Sequence, residues 1–155
     1  MCIRDRLERA HRSMYAQGNQ AVLYMLYLDG GFERDNSETS SLGAAYRGSS
    51  VVMFKGNLKA ASKQSSLDLT KPPLKEVEEA VLVHELGHVL GLVNHGTAMV
   101  RPHEDRDHPG HSSNDASVMY WAVESSAIGA ILGQYPPDDF DSDDKADLQA
   151  ARNAR

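Results

Sequence analysis

Two histidines that flank a glutamate, His84-Glu85-Leu86-Gly87-His88, have the residue types and spacing for chemistry. Side chains four positions apart lie on the same face of an α-helix, so both imidazoles can point at one ion. Neutral imidazole is a standard zinc ligand, and zinc lowers the pKa of a bound water toward about 7. A glutamate next to the first ligand can accept a proton from that water.

The pattern H-E-x-x-H on a helix is typical of zinc metallopeptidases. It predicts His84 and His88 as zinc ligands and Glu85 as the catalytic residue that activates a zinc-bound water. It also predicts a metalloendopeptidase that hydrolyses peptide bonds in a peptide or protein substrate. Chance would produce such a run in fewer than about one chain in a hundred of this composition. The alternative is a pair of helix histidines whose nitrogens bind backbone partners.

The run from His84 to Gly91, HELGHVLG, resembles the metzincin pattern H-E-x-x-H-x-x-G-x-x-H. In that family the glycine allows a sharp turn that returns a third histidine to the metal. The expected position of this histidine holds Asn94, and a neutral carboxamide is a poor zinc ligand. The third ligand must then come from the histidines that follow, namely His95, His103, His108 and His111.

His111 is the preferred third ligand because of its distance from Met119. The run HSSNDASVM, from His111 to Met119, resembles a motif of the archaemetzincins. In that branch the third histidine is followed by C-x4-C-x-M, so it stands eight residues before the methionine, as His111 does before Met119. Ser112 and Ser117 replace the two cysteines, so no second zinc or local disulfide is implied. The resemblance implies a metzincin site with an inserted loop, and Met119 as the Met-turn methionine beneath the metal.

One helix and one loop have to position these residues. The apolar spacing predicts a helix from about Leu74 to Leu90, with acidic residues in its first turns where the helix dipole favours them. The stretch from Asn94 to Ser117 is polar and rich in histidine. A structureless loop of this length inside a compact domain tends to be functional.

The remaining elements predict an α+β fold. The resemblance makes it metzincin/zincin-like, with a twisted mixed β-sheet, a backing helix, an active-site helix and a small C-terminal subdomain. The predicted elements are a helix over Leu7–Ala16, a buried strand over Ala21–Leu28, a strand or hairpin over Gly43–Phe54, a surface loop over Leu58–Leu74 and a helix that begins near Asp141.

The composition and net charge of the chain limit the classes of function that are expected. The chain has 155 residues, 41% apolar and 25% charged, as expected for one soluble domain. A net charge of -6 disfavours nucleic acid as a partner. No apolar stretch approaches the roughly 20 residues that cross a bilayer, so no membrane span is expected in this fragment.

The first six residues, Met1 to Arg6, match the translated end of a sequencing-library adaptor. We interpret residues 1–6 as an artefact and residues 7–155 as one metallopeptidase catalytic domain that is truncated at its N-terminus. The only cysteine, Cys2, would then be foreign to the protein. With the true N-terminus missing, we expect an extracytoplasmic enzyme, either secreted or anchored to the envelope.

Two other functions compete with the peptidase. A bacterial endoribonuclease family has a zinc site of the form H-x3-H-x5-H; here His84, His88 and His95 give H-x3-H-x6-H, one residue too long. That family also lacks a glutamate after its first histidine. The other alternative is a non-catalytic zinc-binding module, in which loop histidines fill every position on the metal.

Overall fold

The computed structural model describes residues 9–32, 35–36, 40–65 and 67–154. The expected artefact at residues 1–6 and the first residues of the predicted N-terminal helix lie outside these ranges. Within them, the prediction of a helix as far as Ala16 is wrong, because only residues 9–11 are helical. These three residues are exposed, and a short helix that buries no apolar face is marginal in water.

A three-stranded mixed sheet forms one layer of the molecule. Its strands are β1 (Tyr24–Leu28), β2 (Gly43–Tyr46) and β3 (Ser50–Phe54), in the spatial order β1-β3-β2. β3 runs parallel to β1 and antiparallel to β2. The hairpin between β2 and β3 turns at Arg47 and Gly48, which both have positive φ as tight hairpin turns require. The predicted strand or hairpin over this stretch is thus a hairpin.

Burial differs between the strands because only β3 has neighbours on both sides. All five residues of β3 are buried. β1 lies at the edge, and its residues alternate between half-buried and exposed, with Met25 39% and Tyr27 46% exposed. The prediction of a buried strand over Ala21–Leu28 is correct in type but wrong about burial and about its first three residues.

Four α-helices and one 3₁₀ helix complete the described chain: α1 (Lys55–Ala61), α2 (Leu74–Val89), the 3₁₀ helix (Trp121–Glu124), α3 (Ile128–Leu132) and α4 (Ser142–Asn153). α1 corrects the predicted surface loop over Leu58–Leu74, because Leu58 and Ala61 pack into the core. α4 begins where the sequence predicts, with Asp141 as N-cap and Asp144 closing a capping box. The chain is therefore an α+β protein with a mixed sheet.

The core lies between the sheet and α2. Val77, Ala80 and Val81 of α2 are fully buried and belong to the same apolar cluster as Val51 and Met53 of β3. No helix in the part of the chain that the structure describes is long and apolar enough to span a membrane.

A Schellman motif ends α2 at the position of the predicted sharp turn. Gly91 has φ +80°, its N–H donates to His88 O at 3.1 Å, and Leu92 N–H donates to Gly87 O at 3.0 Å. Val93 and Asn94 follow with φ of 49° and 66°. Asparagine tolerates this left-handed conformation better than most residues, whereas a β-branched valine is strained in it. Asn94 therefore acts as a turn residue.

Candidate metal centre

His84 and His88 lie on the buried face of α2, one turn apart. The His84 side chain is fully buried, and its Nδ1 donates a hydrogen bond to the carbonyl oxygen of Val118 at 2.7 Å. A carbonyl can only accept, so the proton is on Nδ1 and the lone pair of Nε2 is free. His88 Nε2 lies 3.0 Å from this His84 Nε2. The helix thus brings two ring nitrogens to one point.

The long segment after α2 returns His111 to the same point. Its ring centroid lies 5.3 Å from that of His84 and 5.1 Å from that of His88. The backbone of His111 accepts a hydrogen bond from Asp105 N–H at 2.7 Å, and Ser112 N–H donates to Met119 O at 2.8 Å. These bonds fix the loop on both sides of the imidazole.

Glu124 is the fourth member of the cluster, and the sequence analysis missed it. One of its carboxylate oxygens lies 3.2 Å from His111 Nε2, and the other lies 3.9 Å from His84 Nε2. The residue ends the 3₁₀ helix, directly after Ala122 and Val123, which are both fully buried. A lone acid that follows buried apolar residues was the only sequence signal for it.

The four side chains fit a metal ion. Each offers one ligand atom, and these atoms lie within 4.8 Å of one another. Ligand atoms of a tetrahedral zinc with bonds of about 2.0–2.1 Å lie about 3.3 Å apart. The distance between the Nε2 atoms of His84 and His88 is 3.0 Å, and the Glu124 carboxylate lies 3.2 Å from His111 Nε2 and 3.9 Å from His84 Nε2. These distances lie around that value. We name this group of four, His84, His88, His111 and Glu124, the metal cluster.

Burial keeps the two helix histidines neutral, as metal ligands must be. Loss of solvent lowers the pKa of His84 to about 4. Loss of solvent, together with the neighbouring His84 and His111, lowers the pKa of His88 to about 2. Burial alone would raise the pKa of Glu124, but the neighbouring His111, followed by His84 and His88, lowers it to about 2. Two neutral imidazoles of the helix and one carboxylate therefore face one another in the cluster.

Glu85 lies beside the metal cluster and is fully buried. No hydrogen bond of normal geometry reaches either oxygen of its carboxyl group. Burial, followed by the nearby negative charge of Glu124, raises the pKa of Glu85 well above its usual value. Gly43 of β2 makes this packing possible, because a Cβ at that position would lie 2.8 Å from Glu85 Oε1. The carboxyl group of Glu85 thus lies beside the cluster, buried and with few competing partners.

The other candidate ligands in the loop have different surroundings. His95 is exposed, with its ring centroid 5.0 Å from that of His88, and it is outside the metal cluster. His103 Nε2 lies 3.0 Å from Asp147 Oδ2. His108 stacks on Trp121 with ring centroids 4.3 Å apart. Of the four histidines that follow Asn94, the structure brings only His111 to the cluster.

Met119 is fully buried against α2, on the side of the helix that carries Gly87. A Cβ at Gly87 would collide with its sulfur atom. Ser117 is also buried, and its hydroxyl accepts a hydrogen bond from Met119 N–H at 2.9 Å and donates to Asp144 at 2.5 Å. The turn that carries Met119 is therefore fixed from both sides, by α2 and by α4.

Two open cavities meet at the metal cluster and share Pro109, His111 and Glu124 as a common wall. One cavity of about 470 Å³ has β2 along one side, with Glu85, His88 and His95 opposite. The other, of about 310 Å³, is lined by the stacked pair His108 and Trp121.

Comparisons of the chain with protein-family models, with curated proteins and with solved structures found no match.

Proposed function

We propose that this chain is a zinc-dependent metalloendopeptidase of metzincin-like type, in which His84, His88 and His111 bind zinc. The observation that carries the proposal is the convergence of three imidazole nitrogens beside a buried glutamate, at the meeting point of two open cavities. The sharp turn at Gly91 and the buried position of Met119 agree with the metzincin resemblance.

Each residue has a role in peptide hydrolysis. Zinc, when bound, makes water acidic and polarises the carbonyl of the peptide bond. Glu85 accepts the proton of the attacking water and then passes it to the amine nitrogen that leaves, a role that its position in the cavity beside His88 favours. His84 keeps its lone pair directed at the metal because Val118 O holds its other nitrogen.

The outer edge of β2 gives the substrate a place to bind. Among the described strands, β2 is an edge strand that pairs with β3, and residues 44–48 line the larger cavity. An extended peptide can pair with an edge strand through backbone hydrogen bonds. The substrate's backbone would then run past Glu85 toward the second cavity.

The test is to replace Glu85 and to measure hydrolysis and zinc content together. Glu85→Gln and Glu85→Ala should lower the rate of cleavage of a mixed fluorogenic peptide library by about 10²–10⁴ fold, because the general base is lost. Both variants should still bind one zinc per chain. Glu79→Gln, on the exposed side of the same helix, is the matched control and should leave both quantities unchanged.

Undiminished cleavage by Glu85→Ala would contradict the role of Glu85. A wild-type chain that binds zinc but cleaves no peptide in the library would favour the non-catalytic module. The presence of Glu124 in the cluster specifically favours that second candidate, because four protein ligands leave no position for water. The endoribonuclease alternative has less support, because its third ligand would be His95, which is outside the cluster.

A further inference from the structure

Glu124 lies where a fourth ligand of the metal would be, a position that a catalytic zinc keeps open for water. A catalytic zinc has three protein ligands and an open position for water, whereas a structural zinc has four protein ligands. The metal cluster contains four ligand atoms, yet two open cavities adjoin it and Glu85 lies beside it without an ideal partner. The number of ligand atoms is therefore that of a structural zinc site, whereas the adjoining cavities and the nearby Glu85 are typical of a catalytic zinc site.

We propose that Glu124 is a displaceable fourth ligand, which closes the metal site at rest and swings away when a substrate or another metal-binding group enters. This inference rests on the proposed metal site. It adds a resting, self-inhibited state to the function proposed above.

The backbone of Glu124 is fixed while its side chain has room to move. Its carbonyl oxygen accepts a hydrogen bond from Leu42 N–H at 2.7 Å, and Ser125 forms a β-bridge with Ser41. The side chain itself is 31% exposed, compared with 0% for His84 and 14% for His111. Among the four cluster residues, Glu124 thus combines a fixed main chain with a carboxylate at the edge of solvent.

The cavities provide the space into which the carboxylate can move. Glu124 lines both of them. A rotation about its side-chain bonds would take the carboxylate from His111 into open solvent within either cavity. The histidines have less room for such a movement, because His84 is fully buried with its Nδ1 bonded to Val118 O and the His111 side chain is less exposed than that of Glu124.

The position that Glu124 would vacate is the one that catalysis needs. Glu85 and Glu124 line the same cavity, the larger of the two, so both carboxyl groups border one space. Water that enters after the carboxylate leaves would therefore lie next to Glu85. One side chain would then control access to the metal and to the general base.

The experiment compares wild type with Glu124→Ala and Glu124→Gln, each loaded with cobalt(II) in place of zinc. The wild type should show the intense visible absorption of four protein ligands, which acetohydroxamate should change at high concentration. The two variants should bind acetohydroxamate at least about tenfold more tightly, because no carboxylate competes for the position. They should also bind the metal about 10–100 fold more weakly in chelator competition.

Circular dichroism and thermal unfolding of the same samples test whether the variants are folded, and Glu124→Gln keeps nearly the size of the native side chain. Glu79→Gln is again the matched control. Equal acetohydroxamate affinity in wild type and variants would overturn the proposal while leaving the three-histidine site intact.

Two further outcomes are separate from that one. In the first, a high concentration of acetohydroxamate changes the spectrum of Glu124→Ala but not that of the wild type. Glu124 would then be a permanent ligand, and the proposal that it is displaceable would be overturned. Failure of the folded wild type to bind cobalt or zinc would overturn the metal site itself, and with it the proposed function.

Discussion

Two buried histidine–carboxylate groups lie in the part of the chain that the structure describes, and they differ in what their nitrogens face. In the metal cluster, the Nε2 atoms of His84 and His88 face each other at 3.0 Å. In the second group, His103 directs its two nitrogens at two different acids, with Nε2 3.0 Å from Asp147 and Nδ1 3.9 Å from Asp144. We name this second group, His103, Asp144 and Asp147, the His103 cluster.

The difference shows that burial of histidine with acids does not by itself indicate a metal site. The His103 ring can satisfy Asp147 as a hydrogen-bond donor, and the other oxygen of Asp147 accepts from Val100 N–H at 2.6 Å. This cluster joins the long loop to α4. In the metal cluster, His84 Nδ1 donates to Val118 O, so the lone pair of His84 Nε2 faces His88 Nε2 at 3.0 Å. An ion can satisfy the metal cluster, whereas in the His103 cluster the ring already bonds directly to a carboxylate, that of Asp147.

Metal removal should separate the two clusters most clearly. Zinc held at 1,000 times its Kd adds about 4 kcal/mol to the free energy of unfolding, because it binds only the folded chain. Excess chelator should remove this stabilisation, measured by urea unfolding with and without zinc. His103→Ala should keep the same zinc-dependent difference, since its cluster binds no metal. If zinc leaves the free energy of unfolding of the wild type unchanged, the distinction between a metal-binding cluster and a structural one is wrong.

Loss of the His103 ring should have the next largest effect. His103→Ala should lower the free energy of unfolding by about 3 kcal/mol, because it removes the buried hydrogen bond to Asp147 and leaves that side of the carboxylate unpaired. The matched control is His108→Ala, whose pair with Asp105 is 39% exposed on the histidine side and should contribute less than about 1 kcal/mol. Equal losses in the two variants would show that the His103 cluster has no special structural role.

The third ligand can be tested by a pair of substitutions in the same loop. His111→Ala should weaken zinc binding about 100-fold, or about 2.8 kcal/mol, in competition with a chromophoric chelator. His95→Ala removes an exposed ring beside His88 and should change the affinity less than twofold. If His95→Ala weakens zinc binding more than His111→Ala does, His95 is the third ligand, and the endoribonuclease alternative is favoured.

The sequence predicts best what depends on local periodicity and capping. The helix that carries His84, and the start of α4 at Asp141, follow from apolar spacing and from side chains that bond to the first turn. α1 was missed because only Leu58 and Ala61 of its seven residues are buried, too few to form a pattern. Its stability comes from packing that the local sequence does not reveal.

The metal cluster was predictable in part, for a related reason. His84, Glu85 and His88 come from a single helical turn, so their spacing alone brings them together. The choice of His111 depended on its distance from Met119 in a family resemblance. Glu124 belongs to no motif, and only the three-dimensional path of the chain brings it to His111. Contacts between distant segments are what local reasoning cannot supply.

The two-part origin of the metal cluster has a consequence for how the protein is made. His84 and His88 become a bidentate pair as soon as their helix forms, an event that takes about a microsecond or less. His111 and Glu124 leave the ribosome later and join only when the long loop closes. A newly made chain could therefore capture its metal with the helix pair first, so that the ion helps to fold the loop around itself.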